Sequence, residues 1–589
     1  MRAKYILVLL ACLPIILFTS CSKEPAHLTM IPDNSSMVFS VDLMSLAQKG
    51  ELDKLEDTHF YKELQKEKKE QKFFDKMNEL LTSPLIWGLD LTERVYVFYE
   101  MQADKRNYVG ATLAVRKKGK FEELVRMMAK EADDSVIVKT VKNYRLAKFE
   151  GDNSVCIAWD DDKAVLLAAT DKMDELNFEV ERLMTLKKEN SLLAKQTTFK
   201  TFCENSKDMD AWISMNIIRD LAYQNEVGKE TTDKYLSYLD MLKDNAMEMH
   251  LAFETDSIVM DYQFHMTDKM KKEFDFELKD AKKSKLLAYM GDEDIFDMRW
   301  AVDMKQYYNW MEKMDNAKNF EPMGKEMKEA VGYDIKQLMT EILGGDFIIS
   351  YAGAQVIEEP MLDPRLGMQQ GYGMDGAEDS YADGGADTYG DNGYGNEENL
   401  YPSTSPLEFL RKLKPLATIA FTLKDDKAFQ QILDKLLTDA PIQKKNGYYY
   451  YDLPTFSVHF GIHDHVFFLT TLPSVADGTM KGEYDGKKLS TLAESFKGST
   501  TFYYLDMNYE RYSMNEKLFE SNRYMKRYNQ ILEASMEPFL ALRMRGEGDL
   551  KYRASLTLRN SGKNSLSRLI RHFDKISNES LLQRSNTDI

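Results

Sequence analysis

The chain has 589 residues, 43% of them hydrophobic and 30% charged, with 78 basic against 96 acidic side chains and a net charge of −18. An acidic chain repels phosphate backbones, which excludes nucleic-acid binding as its main role. The length implies two or more domains, and the composition suits a folded body with an aqueous surface.

The chain opens MRAKYILVLLACLPIILFTS, with Arg2 and Lys4 ahead of an apolar run from Tyr5 to Phe18. That run has signal-peptide length and falls short of the roughly 20 apolar residues of a membrane span. Thr19 and Ser20 then precede Cys21. The pattern resembles a bacterial lipoprotein signal: residues 1–20 are removed, Cys21 carries acyl chains such as palmitate, and residues 21–27 form a tether. Phe18 departs from the Leu usual at that position. A rival site at Cys12 would leave Leu13 to Phe18 on the mature chain, so Cys21 is the expected lipid site. Buried acyl carbons contribute about 0.8 kcal/mol each, so two or three chains anchor a protein stably. The expected place is the outer membrane, on its periplasmic face or the cell surface. Ser22 is compatible with that sorting.

The tract after the tether contains MVFSVDL, residues 37–43, and its pattern returns later. Val41, Asp42 and Leu43 match Val302, Asp303 and Met304, each set following a polar turn. WGLDLTERVYVFYE (87–100) resembles VGYDIKQLMTEILGGDFIISYAG (331–353). In the next pair, Phe121, Leu124, Val125 and Met128 fall on Phe429, Ile432, Leu433 and Leu436, the i, i+3, i+4, i+7 spacing of an amphipathic helix. SVCIAWDDDKAVLLAAT (154–170) resembles FSVHFGIHDHVFFLTT (456–471), and both read as hairpins. AWISMNIIRDL (211–221) answers FYYLDMNYERY (502–512), and hairpins over 248–266 and 539–558 close the two tracts. A last helix is expected over 565–576. The collinear order predicts a duplication, with related repeats over 28–283 and 284–578. Each repeat is expected to be α+β, a mainly antiparallel sheet with helices packed on one face.

Residues 357–405 have no counterpart in the first repeat. They are rich in Gly, Asp and Tyr and lack an apolar period, so they are expected to be a disordered insert. Its carboxylates invite weak Ca2+ association at most. Of four cysteines, Cys156 and Cys203 remain for a disulfide, which their spacing alone does not establish.

The lipoprotein signal, the MIPDNSSMVFSVDL opening and the strand and helix tracts after it resemble a family of Bacteroidota lipoproteins classed as a domain of unknown function, over roughly residues 28–575. The resemblance implies an envelope lipoprotein with no assigned reaction. It supplies no catalytic residues.

Each candidate site also has a plain structural role open to it. Asp42, Asn216, Asp303 and Asn508 each follow an apolar strand and precede a helix-like stretch. Asp and Asn are both good N-caps, whereas Asn cannot serve as a general base, so capping is expected. His459, His463 and His465 lie close in sequence and are the metal candidates. Their counterparts Ile157, Asp161 and Lys163 keep no histidine, and turn histidines are the stronger expectation. Met241, Met247, Met249 and His250 could offer soft ligands but read better as packing. GYYYYDLP (447–454) could stack on sugars, and an alternating strand explains it as well. No nucleophile elbow, phosphate loop or dinucleotide fingerprint occurs.

The expectation is an outer-membrane-anchored, non-enzymatic binding or structural protein without a cofactor, with a protein or glycan partner left open. An envelope hydrolase or carbohydrate-binding protein with a cleft between the halves, and a metal-handling protein, are the alternatives.

Overall fold

The computed structural model describes residues 24–64, 84–101, 107–131, 135–149, 154–169, 176–224, 239–278, 283–313, 320–356, 413–438, 440–512 and 523–585. The signal, Cys21 and the acidic insert lie outside these. The chain forms two compact units, residues 1–275 with 538–589, and residues 276–537.

The first unit begins with β1 (Ser35–Val41), β2 (Val95–Met101), β3 (Asn107–Ala114), β4 (Val136–Val141) and β5 (Tyr144–Phe149). It continues with β6 (Val155–Trp159), β7 (Lys163–Ala169), β8 (Met209–Ser214), β9 (Ala246–Glu254) and β10 (Ser257–His265). Antiparallel pairing gives the order β4-β5-β6-β7-β3-β2-β1-β8-β9-β10.

The second unit holds β11 (Phe296–Ala301), β12 (Leu343–Val356), β13 (Leu413–Leu423) and β14 (Gln443–Lys445). Four more follow: β15 (Tyr448–Asp452), β16 (Ser457–His463), β17 (Val466–Thr470) and β18 (Thr501–Asp506). They pair antiparallel in the order β14-β15-β16-β17-β13-β12-β11-β18. The insert thus joins two neighbouring strands, β12 and β13. The final hairpin, β19 (Phe539–Gly548) and β20 (Lys551–Leu558), belongs to the first unit, where β20 pairs with β10. The units therefore do not follow the boundaries read from sequence, because backbone pairing draws the last hairpin to β10. The closing helix runs Ser565–Ser585.

The architecture is α+β with a large antiparallel sheet. Helices do not keep to one face, contrary to expectation. Side chains alternate across a strand, so neighbours in sequence point to opposite faces. Cys156, Ala158, Val165 and Leu167 join one apolar cluster with Leu176 and Val180 of helix Leu176–Met184 and Phe199 and Phe202 of helix Thr197–Glu204. Ile157, Trp159, Ala164 and Leu166 join another with Phe121, Leu124 and Val125 of helix Lys118–Glu131. Strands covered on both faces read as continuous apolar runs, as VCIAW does.

The second unit is likewise covered twice. Helix Asp426–Leu436 packs Leu433 with Leu423, Phe460 and Phe467 on one face. Helix Pro473–Met480 packs on β16 and β17, and its Asp477 accepts the Tyr448 hydroxyl proton at 3.1 Å.

Candidate functional site

The predicted turn residues do different jobs. Asp42 caps helix Leu43–Lys49 by accepting the Ser45 N–H at 2.8 Å. Asp303 accepts N–H groups of Lys305 and Gln306, both at 3.1 Å, at the start of helix Met304–Lys313. Asn216 is instead the first residue of its helix, and the Ser214 hydroxyl accepts its N–H at 3.3 Å. Asn508 precedes helix Tyr509–Tyr512, and there the Asp506 carboxylate accepts its N–H at 2.8 Å. Sequence marked the right turns; at Asn216 the side-chain oxygen instead accepts the Asp244 N–H at 3.3 Å.

Around Asp42 a polar network joins β1, β8 and β9. Asp208 takes the Ser45 hydroxyl proton at 2.6 Å and pairs with Lys49 at 2.6 Å. Buried Asp210 accepts from Ser40 at 3.0 Å, pairs with Arg94 and lies 2.7 Å from His250 Nδ1. Burial alone would lower the His250 pKa, but hydrogen bonds and charge from Asp210 and Glu248 lift it to about 9. His250 and Glu248 therefore sit inside as a charged pair, with Met247 and Met249 alternating to the other side of β9. Cys156 and Cys203 are free thiols.

The second unit carries a polar row across its sheet. In register, Gln443, Tyr450, His459, Thr470, Thr418, Ser350, Asp297 and Tyr504 stand side by side on its eight strands. Directly paired residues share a face, so these side chains line one surface. Tyr450 donates to Gln443, Tyr450 stacks on His459 at 6.0 Å, and Thr418 and Thr470 share a hydrogen bond of 2.9 Å.

At one end of the row, Asp297 is fully buried beside Asp294, which accepts the Ser350 hydroxyl proton at 2.6 Å and the Gly291 N–H at 2.5 Å. Burial first, then the Asp294 charge, raises the Asp297 pKa to about 9. Two carboxyls this close cannot both ionise, so Asp297 keeps its proton at neutral pH.

At the other end, His459 walls a cavity of about 270 Å3 with Lys414, Lys445, Tyr450, Thr471 and Pro473. His459 is 7% exposed, and among the described residues neither ring nitrogen has a hydrogen-bond partner. Burial lowers its pKa; Asp452 and Asp477 oppose this and Lys445 and Lys414 add to it. The ring is therefore a neutral imidazole, with one donor and one acceptor. Ser457 also borders the cavity, but its hydroxyl donates to Asp452 rather than to His459.

The three metal-candidate histidines part company. His463 Nε2 lies 3.5 Å from Asp485, and His465 Nδ1 lies 3.1 Å from Asp426. Among the described residues, no group of three or more His, Cys, Asp or Glu is placed to hold a metal ion. Sequence singled out His459 but missed the lysines around it, since Lys414 and Lys445 come from strands 31 positions apart and meet only through strand pairing. It also missed Asp294 and Asp297, which sit in GDEDIFD and read as a polar turn.

Among the described residues no helix is long and apolar enough to cross a membrane. No curated protein matches the chain. A solved structure described as "Structure of crystal form I of TP0453" is similar over 41% of this chain and 78% of its own, at 10% identity and a TM-score of 0.22. The model of the family described as Domain of unknown function (DUF4836) matches residues 28–369, more than half of the chain, and the chain belongs to that family.

Proposed function

We propose that the chain is a lipid-anchored envelope protein, held at the outer membrane through Cys21, that binds a small molecule in the second unit rather than transforming it. The observation that carries the binding reading is the His459 cavity, whose buried ring has two nitrogens without partners among the described residues. A buried polar group left unpaired costs roughly 1–3 kcal/mol, and a ligand that bonds to it recovers part of that cost. Nucleophilic catalysis by Ser457 and His459 would need a hydrogen bond between them, and Ser457 donates to Asp452 instead. The acidic pair is no better placed for catalysis, because Asp297 is sealed from solvent.

The anchor reading rests on the leader sequence and its resemblance to Bacteroidota lipoprotein signals. The repeat reading gains support from strand order: β4-β5-β6-β7-β3-β2-β1-β8 in one unit runs as β14-β15-β16-β17-β13-β12-β11-β18 in the other. Asp42 and Asp303 stand at the same turn of that order.

Native mass spectrometry of the full chain extracted from its own membranes tests the reading. A small-molecule adduct that is lost in His459→Trp, and acyl chains that are lost in Cys21→Ala, are expected. A chain with neither adduct nor lipid contradicts it.

A further inference from the structure

We propose that the His459 cavity takes a small oxyanion ligand, a carboxylate or phosphate on a compact hydroxylated body, clamped between Lys414 and Lys445. This rests on the binding reading above and specifies its ligand.

Three independent features converge on one cavity. The first is charge. Lys414 and Lys445 both wall it, and among the described residues neither forms an ion pair with a carboxylate. Lysine is a compact cation with three donors, suited to an oxyanion as a point charge. The second is the helix Pro473–Met480, which begins at the cavity wall. Its N-cap, Leu472, gives no side-chain cap, so the positive end of the helix is not screened by its own chain. The third is His459, more than nine-tenths buried and, among the described residues, without partners at either nitrogen.

These features also shape the rest of the ligand. A neutral imidazole offers one N–H and one lone pair, so it suits a hydroxyl beside the anionic group better than a second negative charge. Tyr450 and Pro473 supply a flat wall for a ring or short carbon skeleton. Thr471 is already committed, since its hydroxyl donates to Pro415 O at 2.5 Å and accepts the Ala417 N–H at 3.0 Å. The volume of about 270 Å3 suits a monosaccharide-sized group. Lys444 gives a built-in control. It is the sequence neighbour of Lys445 but points to the other face of β14, where its ammonium lies 5.0 Å from the Tyr449 ring centroid.

Calorimetric titration of the full chain in detergent tests the inference with three probes: sodium glucuronate, inorganic phosphate and neutral glucose. Glucuronate is expected to bind and glucose not. Lys414→Ala and Lys445→Ala should each weaken glucuronate about tenfold, the loss of one charge-assisted contact, while Lys444→Ala leaves it unchanged. His459→Phe should abolish binding, and His459→Gln, which keeps a donor and an acceptor, should restore part of it should the Phe variant misfold. Phosphate binding weaker than glucuronate assigns recognition to the hydroxylated body as well as the anion. Glucose binding as tightly as glucuronate, or Lys444→Ala costing as much as Lys445→Ala, overturns the oxyanion assignment. A membrane-derived neutral adduct with no glucuronate or phosphate binding would overturn this inference and leave the binding reading standing.

Discussion

Arg299 and Asp346 form a buried two-point ion pair, with Nε to Oδ1 at 2.8 Å and Nη2 to Oδ2 at 3.1 Å, and the guanidinium is fully enclosed. Arg299 also donates through Nη1 to the Ser499 carbonyl. The pair ties β11 to β12, two of the strands that carry the polar row. Removing one partner of such a pair strands a charge in the interior. Asp346→Ala should therefore cost about 3–5 kcal/mol, seen as a lower urea midpoint. The double replacement Arg299→Met with Asp346→Leu should recover most of that loss. A single variant as stable as the parent would contradict the assignment.

Asp297 supplies a pH dependence with a defined sign. Its folded pKa is raised to about 9, above the ordinary 3.8 of an exposed carboxyl. The folded chain holds a proton there that the unfolded chain releases. This contribution to stability is present below about pH 4 and is lost as pH rises through 9. Asp297→Asn keeps the neutral shape without the titration. It should leave the melting temperature near pH 4 unchanged and raise it at pH 8, by about 2–4 °C for each kcal/mol recovered. Equal pH slopes for the two proteins would refute this.

His250 titrates in a different window. Its folded pKa is raised to about 9 from 6.5, so its share of stability is complete below 6.5 and lost as pH rises through 9. A ring-proton NMR titration should find His250 still charged at pH 8. Asp210→Asn removes the partner 2.7 Å away and should bring the midpoint down toward or below the ordinary value. A midpoint that does not move would place the cause elsewhere.

The thiols report on both packing and processing. Burial pushes Cys156 and Cys203 each up to about 12, so neither has appreciable thiolate at pH 8. The native chain should be nearly inert to a disulfide reagent. In denaturant a lipidated mature chain should release two thiols, and an unprocessed chain all four. Two fast-reacting thiols in the native chain would contradict the burial.

Sequence patterning located most strands and helices because their apolar periods are strong, as in Lys118–Glu131 and the hairpin of β6 and β7. It marked Asp42 and Asp303 as helix-starting acceptors for the right physical reason. It failed where polar side chains face inward. In β11, FDMRWA, the apolar alternation points to Phe296, Met298 and Trp300 as core. The sheet instead buries Asp297, Arg299 and Ala301 and leaves Trp300 38% exposed. Asp346, the partner that makes Arg299 tolerable there, comes from a neighbouring strand and leaves no periodic trace. The sequence also does not show that the last hairpin, which closes the second tract, pairs with β10 of the first. The same holds for the cavity: one histidine was visible in a run, while its two lysines were ordinary surface residues until strand pairing brought them to it.

A small oxyanion entering the proposed site must touch the His459 ring. The most direct measurement is the side-chain nitrogen spectrum of His459 in the full chain, assigned with His459→Gln and recorded as glucuronate is added. A saturable shift of the His459 ring nitrogens is expected, with His463 and His465 unmoved and the midpoint moved to about tenfold higher glucuronate in Lys445→Ala. His459 nitrogens that stay fixed while glucuronate is raised to saturating levels, or that move no more than those of exposed His465, would contradict it.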